Sequence, residues 1–392
     1  MPTGSVTFRN GGQDIGTGTI DNTGKAILTT SALPAGALAI TAVYAGDTNF
    51  SGVTSAPLTQ TILPICQYTL SASGKVINEL ASANNPVNVT AQSHCAWTAV
   101  SNDSWITINS GGTGQGNGVV TWSATANPTD SVRTGTMTIA GQTYEVKQGS
   151  VSFAVSAANF DGARISPGQI LAIFGLRLSD VTEAATATPL PTTLGNVSVT
   201  IKDSAGVSRP AAMLYVSPGQ VNVVMPEASA DGRAVISFMT NGRERSAGEI
   251  TVFQVAPGLF TADGTGNGAP LGILLRAGLS GAQQFQALFT VDPVTNQVRP
   301  AILPLSAALA TGEDLYLILY GTGVRGATSA ANVRAQLDGV DLEIAYVVAQ
   351  SEYAGLDQIN IRISPTLRLT GEADLVITVD GVTAKPVRLQ VE

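Results

Sequence analysis

Few side chains in this sequence have the type and spacing that catalysis requires. His94 is the single histidine among 392 residues, and no Gly-x-Ser-x-Gly turn supplies an activated serine. Zinc needs several cysteine or histidine ligands, which one histidine and two cysteines do not provide. The sequence therefore predicts no catalytic residue, no metal site, no cofactor and no enzyme.

Paired carboxylates, which a glycosidase would use, do occur in the sequence. They lie in predicted turns between strands, where such acids are usually solvated, so we interpret them as surface groups. The pairs are Glu227 with Asp231, Glu313 with Asp314 and Glu372 with Asp374.

The two cysteines, Cys66 and Cys95, have a spacing that suits a disulfide. They lie 29 positions apart within one predicted domain. This fits a single bridge formed in an oxidising compartment, and the alternative is a pair of buried free thiols. We predict the disulfide, and with it an exported protein.

Three tryptophans are the candidate ligand-binding residues. The C–H face of a sugar is apolar and stacks on an exposed aromatic ring, whereas tryptophans of sandwich domains more often fill the core. Trp122 follows a glycine-rich run, so we expect it to be the most accessible of the three. The candidates are Trp97, Trp105 and Trp122.

Two glycine-rich segments have only a superficial likeness to ligand loops. Gly111–Gly118 is followed by a strand-like segment instead of a helix, which predicts a flexible hairpin and no phosphate loop. Asp263–Gly268 carries oxygen ligands that calcium accepts but lacks the closing acid of an EF-hand loop. A plain turn is favoured there.

Composition and charge narrow the range of partners. The net charge is −8 with no basic run, which argues against a nucleic acid or an anionic membrane surface. Charged residues make up 12% of the chain, so Ser, Thr, Asn, Gln and Gly must keep the surface soluble. No run of about 18 apolar residues occurs, which predicts no membrane insertion. A polysaccharide or cell-surface glycan remains the candidate partner.

The candidate residues must be positioned by strands, because apolar side chains alternate with a period of two over most of the chain. Val197, Val199 and Ile201 alternate with polar residues, and pairs such as Asn241-Gly242 mark tight hairpins. Helical periodicity is weak, with short turns expected at most at 179–187 and 303–310. The pattern predicts an all-β chain of tandem Ig-like β-sandwich domains.

Four segments follow from composition and spacing, and the last two look like copies of one unit. Gln220-Val221-Asn222 recurs as Gln358-Ile359-Asn360, so internal duplication is the simplest account. We expect these amide side chains to hydrogen-bond neighbouring loop backbone instead of a ligand. The predicted domains are 1–62, 65–149, 151–256 and 257–392.

The first segment resembles bacterial Ig-like repeats. The resemblance rests on the run Pro2-Thr3-Gly4-Ser5-Val6-Thr7-Phe8 and on Tyr44-Ala45-Gly46-Asp47. In that family the Pro-Thr-Gly stretch follows two earlier strands. The resemblance therefore implies a partial domain with an exposed sheet edge, and a chain whose upstream part carried the export signal.

The second segment resembles the BACON domain, a β-sandwich commonly proposed to bind carbohydrate or mucin. The matching residues are Cys66-Gln67-Tyr68, Cys95-Ala96-Trp97, Ser104-Trp105-Ile106, Arg133-Thr134-Gly135 and Val146-Lys147-Gln148. The resemblance implies an accessory module for which no defined site is known.

Residues 151–392 resemble the C-terminal domain that recurs in predicted secreted proteins of acidobacteria. The residues that carry this resemblance include Leu190-Pro191-Thr192-Thr193-Leu194-Gly195, Tyr215-Val216-Ser217-Pro218-Gly219-Gln220 and Ala256-Pro257-Gly258-Leu259-Phe260. The family implies secretion and has no known activity. The polar stretch 283–299 departs from its pattern.

These features together predict a secreted or cell-surface protein without enzymatic activity, serving as scaffold, stalk or adhesion module. A first alternative is a carbohydrate-binding module carried by residues 65–149. A second is the accessory region of a larger secreted enzyme.

Overall fold

The chain is nearly all β. The structure, a computed structural model, describes residues 1–278, 281–305, 314–364 and 367–392. In these ranges the strands form several sheets, a short 3-10 helix lies at Ala330–Asn332, and the predicted all-β architecture of Ig-like sandwiches is confirmed. Among the described residues, no helix is long and apolar enough to cross a bilayer.

Of the two helical turns that weak periodicity allowed, the one expected at 179–187 is not found, and the other begins at the edge of the described part, where Leu305 is helical. Residues 179–187 contain the short strand Glu183–Ala184, so that expectation is wrong. Of the second stretch, 303–310, residues 306–310 lie outside the described part.

Residues 1–62 form one five-stranded sheet, called here the N-terminal sheet. Val6, Phe8 and Tyr44 lie on one face, and threonines crowd the other, because side chains alternate along each strand. Within these residues, all of which the structure describes, Leu38 is the one buried hydrophobic side chain. The strands are β1 (Ser5–Asn10), β2 (Gln13–Thr19), β3 (Gly36–Gly46), β4 (Ser51–Thr54) and β5 (Leu58–Ile62).

Residues 68–148 form the disulfide sandwich. Two sheets, in the orders β10-β12-β8-β6 and β11-β9-β13-β14-β7, enclose a core around Trp122, Met137 and Ile139. The segment before it is solvent-exposed at Leu63 and Ile65. The strands are β6 (Tyr68–Leu70), β7 (Gly74–Ile77), β8 (Ser82–Ala91), β9 (Ala96–Ser101), β10 (Ile106–Ser110), β11 (Thr113–Gln115), β12 (Gly118–Ala124), β13 (Arg133–Ile139) and β14 (Gln142–Gln148).

Residues 150–252 form the third unit of the chain, which is a two-sheet sandwich and is called here the third sandwich. Its sheets have the orders β15-β24-β23-β19-β20 and β16-β17-β22-β21-β18, with Phe238, Met213 and Ile173 in the core between them. The strands are β15 (Ser150–Val151), β16 (Phe153–Ser156), β17 (Ile170–Phe174), β18 (Glu183–Ala184), β19 (Val197–Lys202), β20 (Ser208–Pro210), β21 (Ala212–Val216), β22 (Gln220–Val224), β23 (Gly232–Thr240) and β24 (Arg243–Val252).

Residues 258–391 form the fourth sandwich, in which one eleven-stranded sheet folds around a single core. A bulge between Ile344 and Tyr346 interrupts β33, which pairs with β32 in its first half and with β34 throughout its second. The strands are β25 (Gly258–Leu259), β26 (Gly272–Ala277), β27 (Gln283–Ala287), β28 (Phe289–Val291), β29 (Val298–Pro300), β30 (Ile302–Leu303), β31 (Asp314–Thr322), β32 (Val333–Leu337), β33 (Val340–Ala349), β34 (Asp357–Ile363), β35 (Gly371–Val379), β36 (Val382–Thr383) and β37 (Val387–Val391).

The third and fourth sandwiches share part of their strand order. The run β17-β22-β21 corresponds to β31-β34-β33, and β19-β23-β24 corresponds to β32-β35-β37. The two Gln-x-Asn sequences occupy equivalent strands, β22 and β34. Internal duplication stays a prediction, and this shared order is the structural feature that agrees with it.

The chain as a whole exposes more surface than a compact protein of its mass would. It exposes 19459 Å² of surface. A compact monomer of its mass, 40.0 kDa, would expose roughly 14,400 Å². The excess of about a third follows from small modules placed in series, since each keeps most of its own surface.

Candidate functional site

Trp122 lies in the core of the disulfide sandwich. Its side chain is 0% exposed and packs edge-on against Tyr144, with ring centroids 6.3 Å apart. Strand β12 alternates, so Trp122 shares the inner face with Val120 while Val119 faces solvent. The expectation that Trp122 is the most accessible tryptophan is therefore wrong, and in the folded sandwich its ring has no face for a ligand.

Trp97 is covered by the glycine-rich run that precedes β12. Its indole Nε1 donates a hydrogen bond of 2.8 Å to the carbonyl oxygen of Gly116. A Cβ atom at Gly114 would lie 2.2 Å from the Trp97 ring, and one at Gly118 would lie 2.6 Å from it. These glycines let the backbone lie directly on the indole, so close packing, and not the predicted flexibility, explains them.

We expect Gly114→Ala to lower the free energy of unfolding of the disulfide sandwich by about 1–3 kcal/mol, because the added methyl overpacks against Trp97. Gly112→Ala is the matched control, since its Cβ would have only one neighbour, the Ala99 carbonyl oxygen at 3.9 Å. Denaturant unfolding followed by tryptophan fluorescence measures both. Equal stability of the two variants would refute the packing explanation.

Trp105 is half-buried, and a cation covers its ring. The guanidinium carbon of Arg133 lies 4.2 Å from the ring centroid. Gln148 Oε1 accepts hydrogen bonds from the Nε and Nη2 atoms of Arg133 at 2.9 and 2.6 Å, which fixes the guanidinium there. This contact favours a structural role for Trp105, and ligand binding by Trp97 and Trp105 stays a prediction.

An open groove of about 530 Å³ on the disulfide sandwich brings aromatic and small residues together. Tyr68 forms one wall, and its hydroxyl donates a hydrogen bond of 2.7 Å to the Ala96 carbonyl oxygen. The edge of Trp97 lines the same groove, together with Ala96, Thr98, Thr113, Gly114, Ala140 and Gly141. Sequence reasoning missed Tyr68 as a site residue, although it lies two positions after Cys66.

The predicted disulfide between Cys66 and Cys95 is confirmed. It ties the segment before β6 to the turn before β9, which are the two segments that place Tyr68 and Trp97. His94 lies close to both sulfurs, and its Nε2 atom is 3.0 Å from the Pro64 carbonyl oxygen. Because the two sulfurs are bonded to each other, only the imidazole of this cluster could ligate a metal.

The carboxylate pairs lie beside arginines on the surface. Arg388 approaches Glu372 at 3.6 Å and Asp374 at 3.3 Å. Glu227 and Asp231 line an open cleft of about 480 Å³ between the third and fourth sandwiches, where Arg325 lies 3.4 Å from Glu227. Glu313, the partner predicted for Asp314, lies outside the described residues.

The loop that carries Asp263 forms a turn. Its Oδ1 atom accepts hydrogen bonds from the backbone N–H and the hydroxyl of Thr265. Its other oxygen faces Gly268, where a Cβ atom would lie 2.1 Å away. The carboxylate is thus directed into its own loop, as the predicted turn requires.

Family comparisons identify the first two units. Residues 1–63 match the family model described as "Bacterial Ig-like domain (group 3)", and residues 69–156 match the one described as "Viral BACON domain". Both resemblances read from the sequence are confirmed, and the chain is a β-sandwich protein with an Ig-like domain followed by a BACON domain. Such domains are typical of extracellular proteins and are typically non-catalytic. The acidobacterial resemblance of residues 151–392 stays a prediction.

Solved structures with which the chain aligns differ widely in length. The I9-I11 tandem from titin aligns at 8% identity over 83% of this chain and 99% of that one, with a TM-score of 0.15. The human desmocollin-1 ectodomain aligns at 10% identity over 99% and 92%, with a TM-score of 0.19. The Bacteroides ovatus GH5 xyloglucanase, in complex with a XXXG heptasaccharide, aligns at 19% identity over 26% of this chain, with a TM-score of 0.19. The chain spans 21% of that xyloglucanase. No curated protein matches the chain.

Proposed function

We propose that this chain is a non-enzymatic scaffold, stalk or adhesion module of a secreted or cell-surface protein, in which successive sandwiches are fixed to one another. The observation that carries this proposal is the set of partly buried polar contacts at two domain junctions. A chain of independent binding domains would need no such contacts, whereas a spacer of defined geometry would.

The junction between the disulfide sandwich and the third sandwich is built from an ion pair and backbone hydrogen bonds. Lys147 Nζ lies 2.6 Å from Glu244 Oε1, and the two side chains are 14% and 20% exposed. The Val132 N–H donates to the Glu244 carbonyl oxygen at 2.8 Å. Directly after the disulfide sandwich, β15 joins a sheet of the third sandwich by pairing with β24. Only Gly149 lies between the end of β14 and the start of β15, so the connection between these two units is a single residue.

The junction between the third and fourth sandwiches contains buried polar side chains. Gln169, which is fully buried, donates from its Nε2 atom to the Ala256 carbonyl oxygen at 3.0 Å. Lys385 Nζ donates to the Asn159 carbonyl oxygen at 2.7 Å. The Thr322 hydroxyl accepts from the Ile170 N–H at 2.9 Å. Separating the sandwiches would leave these groups without their hydrogen-bond partners, so the contacts oppose bending of the chain at this junction.

Small-angle X-ray scattering of the full chain tests the proposal. A compact protein of this length would have a radius of gyration of roughly 21 Å, and we expect a clearly larger value with one well-defined set of interdomain distances. Lys147→Ala should broaden that distribution. Lys202→Ala is the matched control, because its pair with Glu145 is longer, at 3.4 Å, and more exposed. A value near that of a compact protein, or a broad distribution in the wild type, would contradict a rigid stalk.

Carbohydrate binding by the BACON domain is a second candidate, favoured by the groove between Tyr68 and Trp97. We expect Tyr68→Ala to weaken retention of the full chain in gels that contain a neutral polysaccharide bound by the groove, because the substitution removes the aromatic wall. Phe50→Ala, at an exposed aromatic residue of the N-terminal sheet, should leave retention unchanged. Retention of the Tyr68→Ala variant equal to that of the wild type would exclude the groove as a binding site.

A further inference from the structure

We infer that the outer face of the fourth sandwich is a second carbohydrate-binding surface, one that takes a neutral polysaccharide chain. The surface, called here the amide face, lies on strands β27, β26, β31, β34 and β33. It is distinct from the groove of the BACON domain and does not depend on the function proposed for that groove. Its central residues are Tyr316, Ile318, Tyr320, Tyr346, Gln358 and Asn360.

The register of the strands places these side chains in adjoining rows. Ile318, Asn360 and Tyr346 are cross-strand neighbours, and so are Tyr320 and Gln358. Neighbouring strands lie about 4.8 Å apart, so a row across three strands presents a continuous strip of side chains. Tyr316 and Tyr320, four residues apart on one strand, are separated by about 13 Å, a distance that several sugar rings would cover.

The aromatic side chains of the amide face are accessible. Tyr346 is 53% exposed, and Phe285, which extends the face on β27, is 61% exposed. Tyr316 and Tyr320 are half-buried between them. Contiguous apolar surface of this kind usually marks an interaction site.

The amide side chains are preorganised and have unused hydrogen-bond donors. Gln358 Nε2 donates to Asn360 Oδ1 at 2.8 Å, and Gln350 Nε2 donates to Gln358 Oε1. These partners are side chains, so the expectation of bonds to loop backbone is wrong. The Nδ2 group of Asn360 finds no acceptor among the described residues. Sugar hydroxyls can accept a hydrogen bond from this group, whereas an apolar surface of another protein would bury the group without a hydrogen-bond partner.

The charge of the amide face matches a neutral ligand. Its central residues carry no charge, although the whole chain has a net charge of −8. Arg362 lies at one end and is neutralised by Asp314 at 2.8 Å and by Glu343 at 3.6 Å. Because Arg362 is already paired with two carboxylates, it offers no free cation to the carboxylates of a uronate polymer. An uncharged polysaccharide needs no such cation.

The same arrangement recurs on the third sandwich. Gln220 Nε2 donates to Asn222 Oδ1 at 2.8 Å, and Tyr215 is the cross-strand neighbour of Asn222. Phe174 lies beside Gln220 and packs on Phe153, with ring centroids 5.4 Å apart. Two like faces on one chain suit a polymer with repeated binding units, since linked contacts raise avidity by about 10²–10⁴-fold.

Affinity electrophoresis of the full chain tests the inference, with hydroxyethyl cellulose, glucomannan and arabinoxylan as neutral probes and polygalacturonate as the anionic probe. We expect at least one neutral polymer to retard the wild type and polygalacturonate not to do so. Tyr346→Ala and Asn360→Ala should each weaken retention roughly tenfold, as removal of a central interface residue does. Asn360→Ala removes an amide with a single side-chain partner, so it tests the face even if loss of Tyr346 affects folding.

Two control variants separate this inference from the proposed function. Phe50→Ala should leave retention unchanged, and Tyr68→Ala should leave the loss of retention caused by Tyr346→Ala unchanged. If Tyr68→Ala alone abolishes retention, the groove is the site and the inference fails while the second candidate function stands. The inference would also fail if none of the neutral probes retarded the wild type. It would fail as well if light scattering showed a dimer that Tyr346→Ala dissociates, because the amide face would then bind a second copy of the chain.

Discussion

Asp357→Ala is expected to lower the free energy of unfolding of the fourth sandwich by about 3–5 kcal/mol, the cost of breaking a buried ion pair by removing one partner. Asp357 is 0% exposed, and its Oδ1 atom lies 2.8 Å from Arg325 Nε. Its Oδ2 atom accepts hydrogen bonds from the backbone N–H groups of Val324 and Arg325 at 2.8 and 3.2 Å. The variant would therefore leave a guanidinium and two backbone donors without their acceptor.

The environment of Asp357 explains why the loss should be large. Desolvation on burial raises the pKa of its carboxyl, while Arg325 and the two N–H donors act in the opposite direction. The carboxylate holds the segment after β31 against the start of β34. Because the side chain of Arg325 also contacts Glu227 and lies against Gly168, the variant should loosen the junction with the third sandwich as well.

Asp314→Ala is the matched control, because Asp314 pairs with Arg362 on the same sheet in an exposed site, at 52% and 41% exposure. An exposed pair contributes about 0–1 kcal/mol, so this variant should be nearly neutral. Differential scanning calorimetry, which resolves domains that unfold separately, measures both. Similar shifts for the two variants would show that the buried pair has no special role.

Replacement of both Cys66 and Cys95 by alanine is expected to destabilise the disulfide sandwich by about 3–4 kcal/mol. The bridge closes a loop of 29 residues. Closing such a loop lowers the entropy of the unfolded state, and at 25 °C this entropy loss corresponds to about 3–4 kcal/mol of stability. It also anchors the three-residue strand β6, which carries Tyr68. On heating of the double variant, we therefore expect β6 and the Tyr68 wall of the groove to detach before the rest of the chain unfolds.

Chemical reduction provides the control for the disulfide prediction. Reductant should lower the unfolding temperature of the wild type and leave the double variant unchanged, with the other sandwiches unfolding as before. Intact-mass analysis of oxidised protein should show a mass lower than that of the reduced form by two hydrogen atoms. Coincident unfolding of oxidised and reduced wild type would contradict the prediction.

Alternation was enough to predict which segments form half-buried strands, but it did not reveal which aromatic residues remain accessible. The sequence suggested that Trp122 is accessible because glycines precede its strand. Those glycines instead lie against Trp97, which is opposite Gly114 across the β9–β11 pair. A cross-strand contact of this kind depends on register, and register is a property of two strands together.

The amide face illustrates the same limit. Gln220, Asn222, Gln358 and Asn360 were recognisable as polar residues on one side of a strand, and their placement on equivalent strands agrees with that. Their neighbours Tyr316 and Tyr346 come from other parts of the chain. No spacing in the sequence indicates that these residues lie side by side.

The sequence by itself determined the all-β class, the disulfide and the two domain resemblances, because each depends on a local period, a residue count or a contiguous motif. Only the tertiary structure decided which tryptophans are buried, how Asp357 is paired and which side chains share an exposed face. These depend on contacts between segments that are distant in sequence, and such contacts exist only once the strands are assembled in register.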